Sequence, residues 1–230
     1  MPTRLIIRQS KEYAQMMFIR DIILPGILLL ALNSCQNTPS DQTDSVANTD
    51  GLPVMGQRNQ AAIPDFKLVN QYRDTITQQD LEGKVYVADF FFTTCPTICP
   101  KMTQQMLRVH EAYKQNPDVV LLSHSIDPQH DTVEVLRRYA ERHGIKEGTG
   151  WHFLTGQQDS IYELAEEHYL ASVSEDPNAP GGYAHSGAFI LIDSQDRIRG
   201  YYDGTNPDDV DRLIEDIKKL GVQSSARETS

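Results

Sequence analysis

Basic residues are scarce in this chain. Its 230 residues include 21 Lys and Arg against 32 Asp and Glu, which gives a formal net charge of −11 at pH 7. A protein that binds the nucleic-acid backbone needs a basic stripe or patch to neutralise phosphates. This balance of charge therefore excludes nucleic acid as a partner. The sequence also shows no internal repeat.

Long hydrophobic runs are missing as well. The apolar stretch 22–32 is broken by Pro25 and Gly26 and is too short to span a bilayer, so it indicates a secretory signal. The stretch leads into Asn33-Ser34-Cys35, which resembles the cleavage box of a bacterial lipoprotein. We therefore predict a lipoprotein-type signal peptide at 1–34 and lipidation of Cys35. Translation starting at Met16 or Met17 would give a leader of more usual length.

The expected location follows from that signal. We predict an exported, membrane-anchored lipoprotein that faces the periplasm or the extracytoplasmic side. Residues 35–60 are rich in Asn, Gln, Thr, Ser and Asp and predict a disordered tether. With 39% hydrophobic residues the chain can build one full core, which we place at 61–222, followed by a polar tail at 223–230.

Cysteine is also rare, and only three are present. Cys95 and Cys99 follow an apolar run at 85–92 that predicts a strand buried on both faces, and they precede a predicted helix that ends at Lys114. A thiolate at a helix N-terminus is stabilised by the helix dipole and by unpaired N–H groups. These two sulfurs can form a disulfide, bind one soft metal ion or serve only as buried structural cysteines. A structural zinc site normally needs four protein ligands, and no fourth cysteine exists.

The remaining pattern predicts an α/β protein with a thioredoxin-like fold. It consists of a central mixed β-sheet flanked by helices, with an N-terminal β-hairpin formed by 63–69 and 75–77. A second buried strand at 119–126 is followed by a helix at 133–143, capped by Asp131 or Thr132. Because sites in such sheets form at the carboxyl edge of the strands, the segment 127–131 is expected beside the thiols.

The C-terminal half continues this pattern. We predict a helix at 160–168, an exposed mobile loop at 174–183, and a β-hairpin formed by 187–193 and 197–202. Asn206 should cap a last helix that ends at Leu220. Met102 and Met106 lie on the apolar stripe of the first helix, so we assign them to the core rather than to a metal.

One of the seven histidines is placed to meet the thiols. His185 stands just before the strand at 187–193, where thioredoxins carry a cis-proline that faces their cysteines. Two thiolates and an imidazole form a soft donor set that suits copper. His130 is the second candidate ligand, since it lies on the expected edge. The others are assigned to the core or to packing (His124, His152) or to solvated helix surfaces (His110, His143, His168).

Three motifs in this sequence resemble the Sco/SenC family of copper-binding, thioredoxin-fold proteins that help mature the copper centre of cytochrome c oxidase. They are DFFFTTCPTICP at 89–100, SIDPQHDT at 125–132 and AHSGAFILID at 184–193. The resemblance covers roughly residues 63 to 220. It implies that Cys95, Cys99 and His185 bind copper as Cu(I), Cu(II) or both. The family commonly has an aspartate before the histidine, where this chain has Ala184, and a missing carboxylate could change the orientation of the imidazole.

The implied function is that of a metallochaperone, not an enzyme. It would deliver copper to the copper-bearing subunit of cytochrome c oxidase while a lipid anchor holds it at the membrane. The main alternative is a thiol–disulfide oxidoreductase that uses Cys95 and Cys99 on the cysteines of that subunit, and the two activities can coexist. A peroxiredoxin is disfavoured, because those enzymes have Thr or Ser three positions before the reactive cysteine, where this chain has Phe92.

Overall fold

The computed structural model of the protein describes residues 50–55 and 63–222. Within them, strands and α-helices follow one another in an order typical of an α/β domain. In chain order they are β1 (Lys67–Asn70), β2 (Thr75–Thr77), β3 (Val85–Phe91), α1 (Cys99–Tyr113), β4 (Val119–Ser125), α2 (Val133–Arg142), β5 (Trp151–Thr155), α3 (Gln158–Glu163), β6 (Val173–Glu175), β7 (Tyr183–His185), β8 (Ala188–Ile192), β9 (Ile198–Asp203) and α4 (Pro207–Lys219). A 3₁₀ turn (Gln78–Leu81) precedes β3, and a π-helical segment (Leu164–His168) continues α3.

Seven strands form one mixed sheet in the order β2-β1-β5-β4-β3-β8-β9. The three central strands β3, β4 and β5 are parallel to one another, while β1–β2, β1–β5, β3–β8 and β8–β9 pair antiparallel. Every residue of β3 and β4 is buried, as expected for apolar runs covered on both faces. This topology confirms the predicted thioredoxin-like fold, including the N-terminal hairpin.

The helices begin where the sequence supplies a cap. Thr132 accepts a hydrogen bond from the backbone of Val135 at the start of α2, and Asn206 accepts one from Asp208 at the start of α4. Along α1 the predicted apolar stripe is buried, and both Met102 and Met106 lie in the hydrophobic core. The two methionines are therefore packing residues, as predicted.

The segment predicted as an exposed loop at 174–183 contains a second, two-stranded sheet. β6 pairs antiparallel with β7, and His185 lies opposite Val173. The Pro and Gly residues are confined to the turn at 176–182, where the Asp176 N–H donates to the Gly182 carbonyl. Because the paired segments are only three residues long, the turn signals dominate the local sequence and conceal them.

Two further features differ from the sequence-based expectations. Residues 50–55 pack against the domain, and Leu52 is a core residue, although this segment falls inside the predicted tether. His110 was expected on a solvated surface, but it is buried and its ring lies 5.5 Å from that of Trp151. That expectation was wrong because the pattern of a single helix does not reveal which other elements cover it.

The predicted signal peptide, Cys35, most of the predicted tether and the tail at 223–230 lie outside the described residues. Neither of the two described ranges contains a helix with the length and apolar character needed to cross a membrane.

Candidate metal centre

The two thiols lie at the junction between β3 and α1. The chain turns after Phe92, where the Cys95 N–H donates to the Phe92 carbonyl at 3.2 Å, and Cys99 is the first residue of α1. Both cysteines are free and buried, with 8% of Cys95 and 2% of Cys99 exposed. The predicted placement of a thiol at a helix N-terminus is thus found at Cys99.

Asp131 holds the turn that precedes the thiols. This fully buried carboxylate accepts hydrogen bonds from the backbone N–H of Thr93 at 3.0 Å, from the Thr93 hydroxyl and from the Ser125 hydroxyl at 2.7 Å. Thr132 caps α2, so Asp131 is not the helix cap and belongs instead to the segment 127–131 that was expected beside the thiols. Its place after a buried strand at the carboxyl edge was the signal for a structural role beside the site.

His185 meets the thiols from the opposite side. Its Nε2 lies 3.3 Å from Cys99 Sγ, and the ligand atoms of Cys95, Cys99 and His185 all lie within 4.8 Å of one another. The turn after β3, the first residue of α1 and the last residue of β7 therefore bring side chains that are distant in sequence into one small volume. The structure brings together all three residues that the sequence predicted as metal ligands.

The imidazole of His185 is oriented by the main chain. Its Nδ1 lies 3.0 Å from the Ser186 carbonyl oxygen, which can only accept, so Nδ1 carries the proton. In the neutral ring, Nε2 then presents its lone pair to the thiols. Ser186 thus supplies the orienting contact that an outer-shell carboxylate often provides, and Ala184 lies on the other face of β7.

The two thiols differ in acidity. Burial favours the neutral form of Cys95, but hydrogen bonds from the Cys99 side chain and from backbone N–H groups outweigh it and lower its pKa. Burial, reinforced by the neighbouring Cys95, raises the pKa of Cys99 well above its ordinary value. Burial also lowers the pKa of His185, which keeps the imidazole neutral and able to bind a metal.

An aromatic wall closes one side of the cluster. Phe92 is almost fully buried, and its ring contacts the rings of Tyr183 at 5.2 Å and His185 at 6.0 Å between centroids. Asp127 lies near the Tyr183 hydroxyl, whose pKa is raised to about 12 by burial and by that carboxylate. Asp127 is thus at the edge where it was expected, although the described contacts do not link it to the thiols.

The other histidines lie apart from the three ligand atoms. His130, the second candidate, is half exposed, and its Nδ1 is 2.9 Å from the Asp131 carboxylate. His124 is buried as predicted, with Nδ1 3.2 Å from the Asp89 carbonyl oxygen. Glu163, Glu167 and His168 form a second group of potential ligands, but its two carboxylates are exposed.

The sequence and the fold match a known family. The family model described as SCO1/SenC matches residues 54–221. The chain belongs to the SCO1/SenC family. A Bacillus subtilis (strain 168) relative named SCO1 protein homolog is 32% identical over 162 residues, which cover 70% of this chain and 83% of that protein. A Stutzerimonas stutzeri relative named putative copper-binding protein is 29% identical over 182 residues, covering 76% of this chain and 85% of the relative.

Two solved SCO1/SenC structures are similar to the structure of this protein. A SCO1/SenC family lipoprotein from Bacillus anthracis is 30% identical with a TM-score of 0.64, covering 73% of this chain and 100% of that one. The second is BsSco, described as a member of the Sco family of cytochrome c oxidase assembly proteins with a disulfide switch. It is 29% identical with a TM-score of 0.61, covering 74% of this chain and 98% of its own.

Proposed function

We propose that this SCO1/SenC protein binds one copper ion through Cys95, Cys99 and His185 and delivers it to the copper-bearing subunit of cytochrome c oxidase. The observation that carries this proposal is the convergence of two Sγ atoms and one imidazole Nε2 within 4.8 Å. The copper-binding name of the Stutzerimonas relative and the oxidase-assembly description of BsSco support it.

The donor set favours Cu(I) over the other common metals. Thiolates are soft ligands that select Cu(I) and zinc, whereas carboxylates and carbonyls suit magnesium, calcium and manganese. A structural zinc site takes four protein ligands. In the described ranges, the group formed by Cys95, Cys99 and His185 contains no fourth His, Cys, Asp or Glu. Three soft donors suit a copper ion that must later be released to an acceptor.

Anaerobic titration of the reduced protein with Cu(I) tests this proposal. We expect one equivalent to bind to the wild type, and Cys99→Ser and His185→Ala to weaken binding by more than about 100-fold, the loss that even an outer-shell substitution can cause. His130→Ala is the matched control, because this histidine lies on the same edge but outside the cluster. Unchanged affinity in His185→Ala would contradict the proposed ligand set.

We also propose that the protein is exported and anchored through a lipid on Cys35, facing the periplasm or the extracytoplasmic side. The sequence Asn33-Ser34-Cys35 after an apolar stretch supports this location. Mass spectrometry of the protein from its native membrane should find a lipid-modified N-terminal Cys35. An unmodified Cys35 with residues 1–34 still attached would contradict it.

A second candidate activity, thiol–disulfide exchange, is favoured by the unequal acidity of the two thiols. Cys95, with its lowered pKa, would attack an acceptor disulfide and form a mixed disulfide, and Cys99 would then displace the acceptor thiolate. The acceptor would gain two electrons as the Cys95–Cys99 disulfide formed. Because this step needs no imidazole ligand, His185→Ala should retain the exchange while Cys95→Ser abolishes it.

A further inference from the structure

Three residues of the turn before β7 and of β7 itself face the ring of Phe92. A Cβ on Gly181, in the turn, would lie 2.7 Å from Phe92 Cε2, and Tyr183 and His185 make the two ring contacts described above. Tyr183 and His185 are two apart in β7 and therefore lie on the same face of that strand. The ring of Phe92 is therefore the surface on which the turn before β7, and β7 itself, are seated.

Gly181 makes the closest of these approaches. Besides Phe92, its hypothetical Cβ would lie 3.3 Å from Cδ of Pro96, the residue directly after Cys95. A Cβ at 2.7 Å from a buried ring cannot be accommodated unless the ring or the turn moves. The absence of a side chain at position 181 thus allows the tip of the hairpin to contact the thiol-bearing turn.

Comparison with the neighbouring Gly182 distinguishes the effect of side-chain packing from the effect of backbone conformation. Both glycines have φ of +86°, a region that favours glycine, but a Cβ on Gly182 would meet nothing within 4 Å. Replacing either glycine with alanine therefore imposes the same kind of backbone strain. Only the replacement at 181 adds a collision with Phe92.

The hairpin is a small structural element. β6 and β7 form a sheet of their own with three residues in each strand. A two-stranded ribbon is marginally stable by itself. Its base is held by the buried Val173, which pairs with His185, and by the Ser186 N–H, which donates to the Ser172 carbonyl. A Phe92 ring displaced by a Cβ at position 181 would press on the ring of His185, since the two ring centroids lie 6.0 Å apart.

We infer that Gly181 is a positioning residue for His185: it lets the hairpin tip close on Phe92 and Pro96, and this contact holds Nε2 against the thiols. The test of this inference by Cu(I) affinity rests on the function proposed above. The contact itself involves no copper and is tested independently without it.

The first test compares Gly181→Ala with Gly182→Ala in the full chain. Under anaerobic competition with a Cu(I) chelator, Gly181→Ala should weaken Cu(I) binding by about tenfold or more relative to Gly182→Ala. It should also lose more thermal stability, because only this variant adds a collision with Phe92 to the backbone strain that both share. In a His185→Ala background the difference in Cu(I) affinity between the two alanines should vanish, because the effect acts through the imidazole. Equal affinities in the histidine-containing pair, or a difference that persists without His185, would overturn the inference.

The second test needs no copper. In NMR spectra of the reduced protein without added copper, Gly181→Ala should shift the ring resonances of His185 and Phe92, and Gly182→Ala should leave them in place. If the wild type binds no Cu(I), the proposed function fails, yet these spectra still decide whether Gly181 positions His185. Should Gly181→Ala not fold, Phe92→Leu removes the same ring without backbone strain and should weaken the nuclear Overhauser contacts between the His185 ring and Cys99, which report distance and not the loss of the Phe92 ring current. Unmoved His185 resonances in Gly181→Ala, or unchanged contacts in Phe92→Leu, would overturn the inference.

Discussion

His185 Nε2 lies 3.3 Å from Cys99 Sγ, although 86 positions separate the two residues in the sequence. Since Nδ1 donates to the Ser186 carbonyl, Nε2 is the nitrogen that turns its lone pair toward Cys99 Sγ. This contact preserves the separation that a shared metal ion would need. It also means that a metal binding to both atoms must displace the Cys99 proton.

Copper affinity should therefore increase with pH. Burial and the neighbouring Cys95 raise the pKa of Cys99, so the metal-free protein retains that proton throughout the neutral range. Each pH unit should tighten Cu(I) binding by about tenfold for one displaced proton. Competition for Cu(I) against a chelator whose affinity does not depend on pH measures this slope. The useful range is roughly pH 6–9, in which Cys99 stays protonated. Cys99→Ser should flatten it, and a pH-independent wild-type affinity would contradict the assignment.

Cys95 should react with alkylating agents before Cys99. Although burial opposes ionisation, hydrogen bonds from Cys99 and the backbone lower the pKa of Cys95, which is also the more exposed of the two. Because the thiolate is the nucleophile, we expect modification of Cys95 to be about tenfold faster or more at neutral pH. Peptide mass spectrometry after brief iodoacetamide treatment gives both rates. Preferential labelling of Cys99 would refute this order.

Much of the fold could be predicted from local sequence. β3 and β4 are largely apolar, interrupted only by Asp89 in β3 and by the polar end of β4 at 123–125, and such segments become central strands wherever both faces of a sheet are covered. The start of α4 was equally predictable, because the capping side chain of Asn206 precedes a proline. The short β6 and β7 could not be predicted, since three-residue strands gain their stability from pairing with each other rather than from their own composition.

The residues of the candidate site could be predicted, but the packing contacts that hold them in place could not. Cys95 and Cys99 follow from the motif, and His185 came from its position before a strand. The seating of Gly181 on Phe92 depends on a contact between distant segments, and nothing local distinguishes Gly181 from Gly182. Likewise, the burial of His110 depends on Trp151, which approaches from another element.

Replacing Asp89 should stabilise the protein above neutral pH. This carboxyl group is fully buried with Oδ1 unpartnered, and burial raises its pKa to about 7. A pKa higher in the folded than in the unfolded state contributes stability at low pH that is lost as pH rises from about 3.8 to 7. Asp89→Asn should thus be more stable than wild type by about 1–3 kcal/mol at pH 8, with the gain shrinking toward pH 4. Urea unfolding across this range tests the trend, and a constant difference would contradict it.

Loss of stability on acidification should be clearest once Asp89 is removed. Burial lowers the pKa of His124 to about 4, so the unfolded chain takes up a proton before the folded one. The stability contributed by the neutral ring is complete above about 6.5 and falls as pH drops toward 4. This slope is opposite to that of Asp89 and partly masked by it in the wild type. In Asp89→Asn, unfolding measured between these pH values should show a steeper acid-side decline than in wild type.

Arg199 should be needed to hold residues 50–55 on the domain. Its side chain is 1% exposed and forms ion pairs with Asp50 at 2.6 Å and Asp193 at 2.9 Å. It also donates to the carbonyls of Pro53 and Leu52, so a single guanidinium satisfies several groups of that segment. A buried ion pair that loses one partner leaves the other charge uncompensated.

We expect Arg199→Ala to destabilise the protein by about 3 kcal/mol, because Asp50 loses its ion-pair partner and two carbonyls lose a donor, while Asp193 keeps its ion pair with Arg197. The backbone N–H of Met55, which donates to the Ile198 carbonyl at 2.8 Å, should also lose its protection from hydrogen exchange. Arg212→Ala is the control, since Arg212 pairs with Asp209 at the surface and should change neither measurement. If Met55 remained protected in Arg199→Ala, the segment would be held by the packing of Leu52 instead, and the role assigned to Arg199 would be wrong.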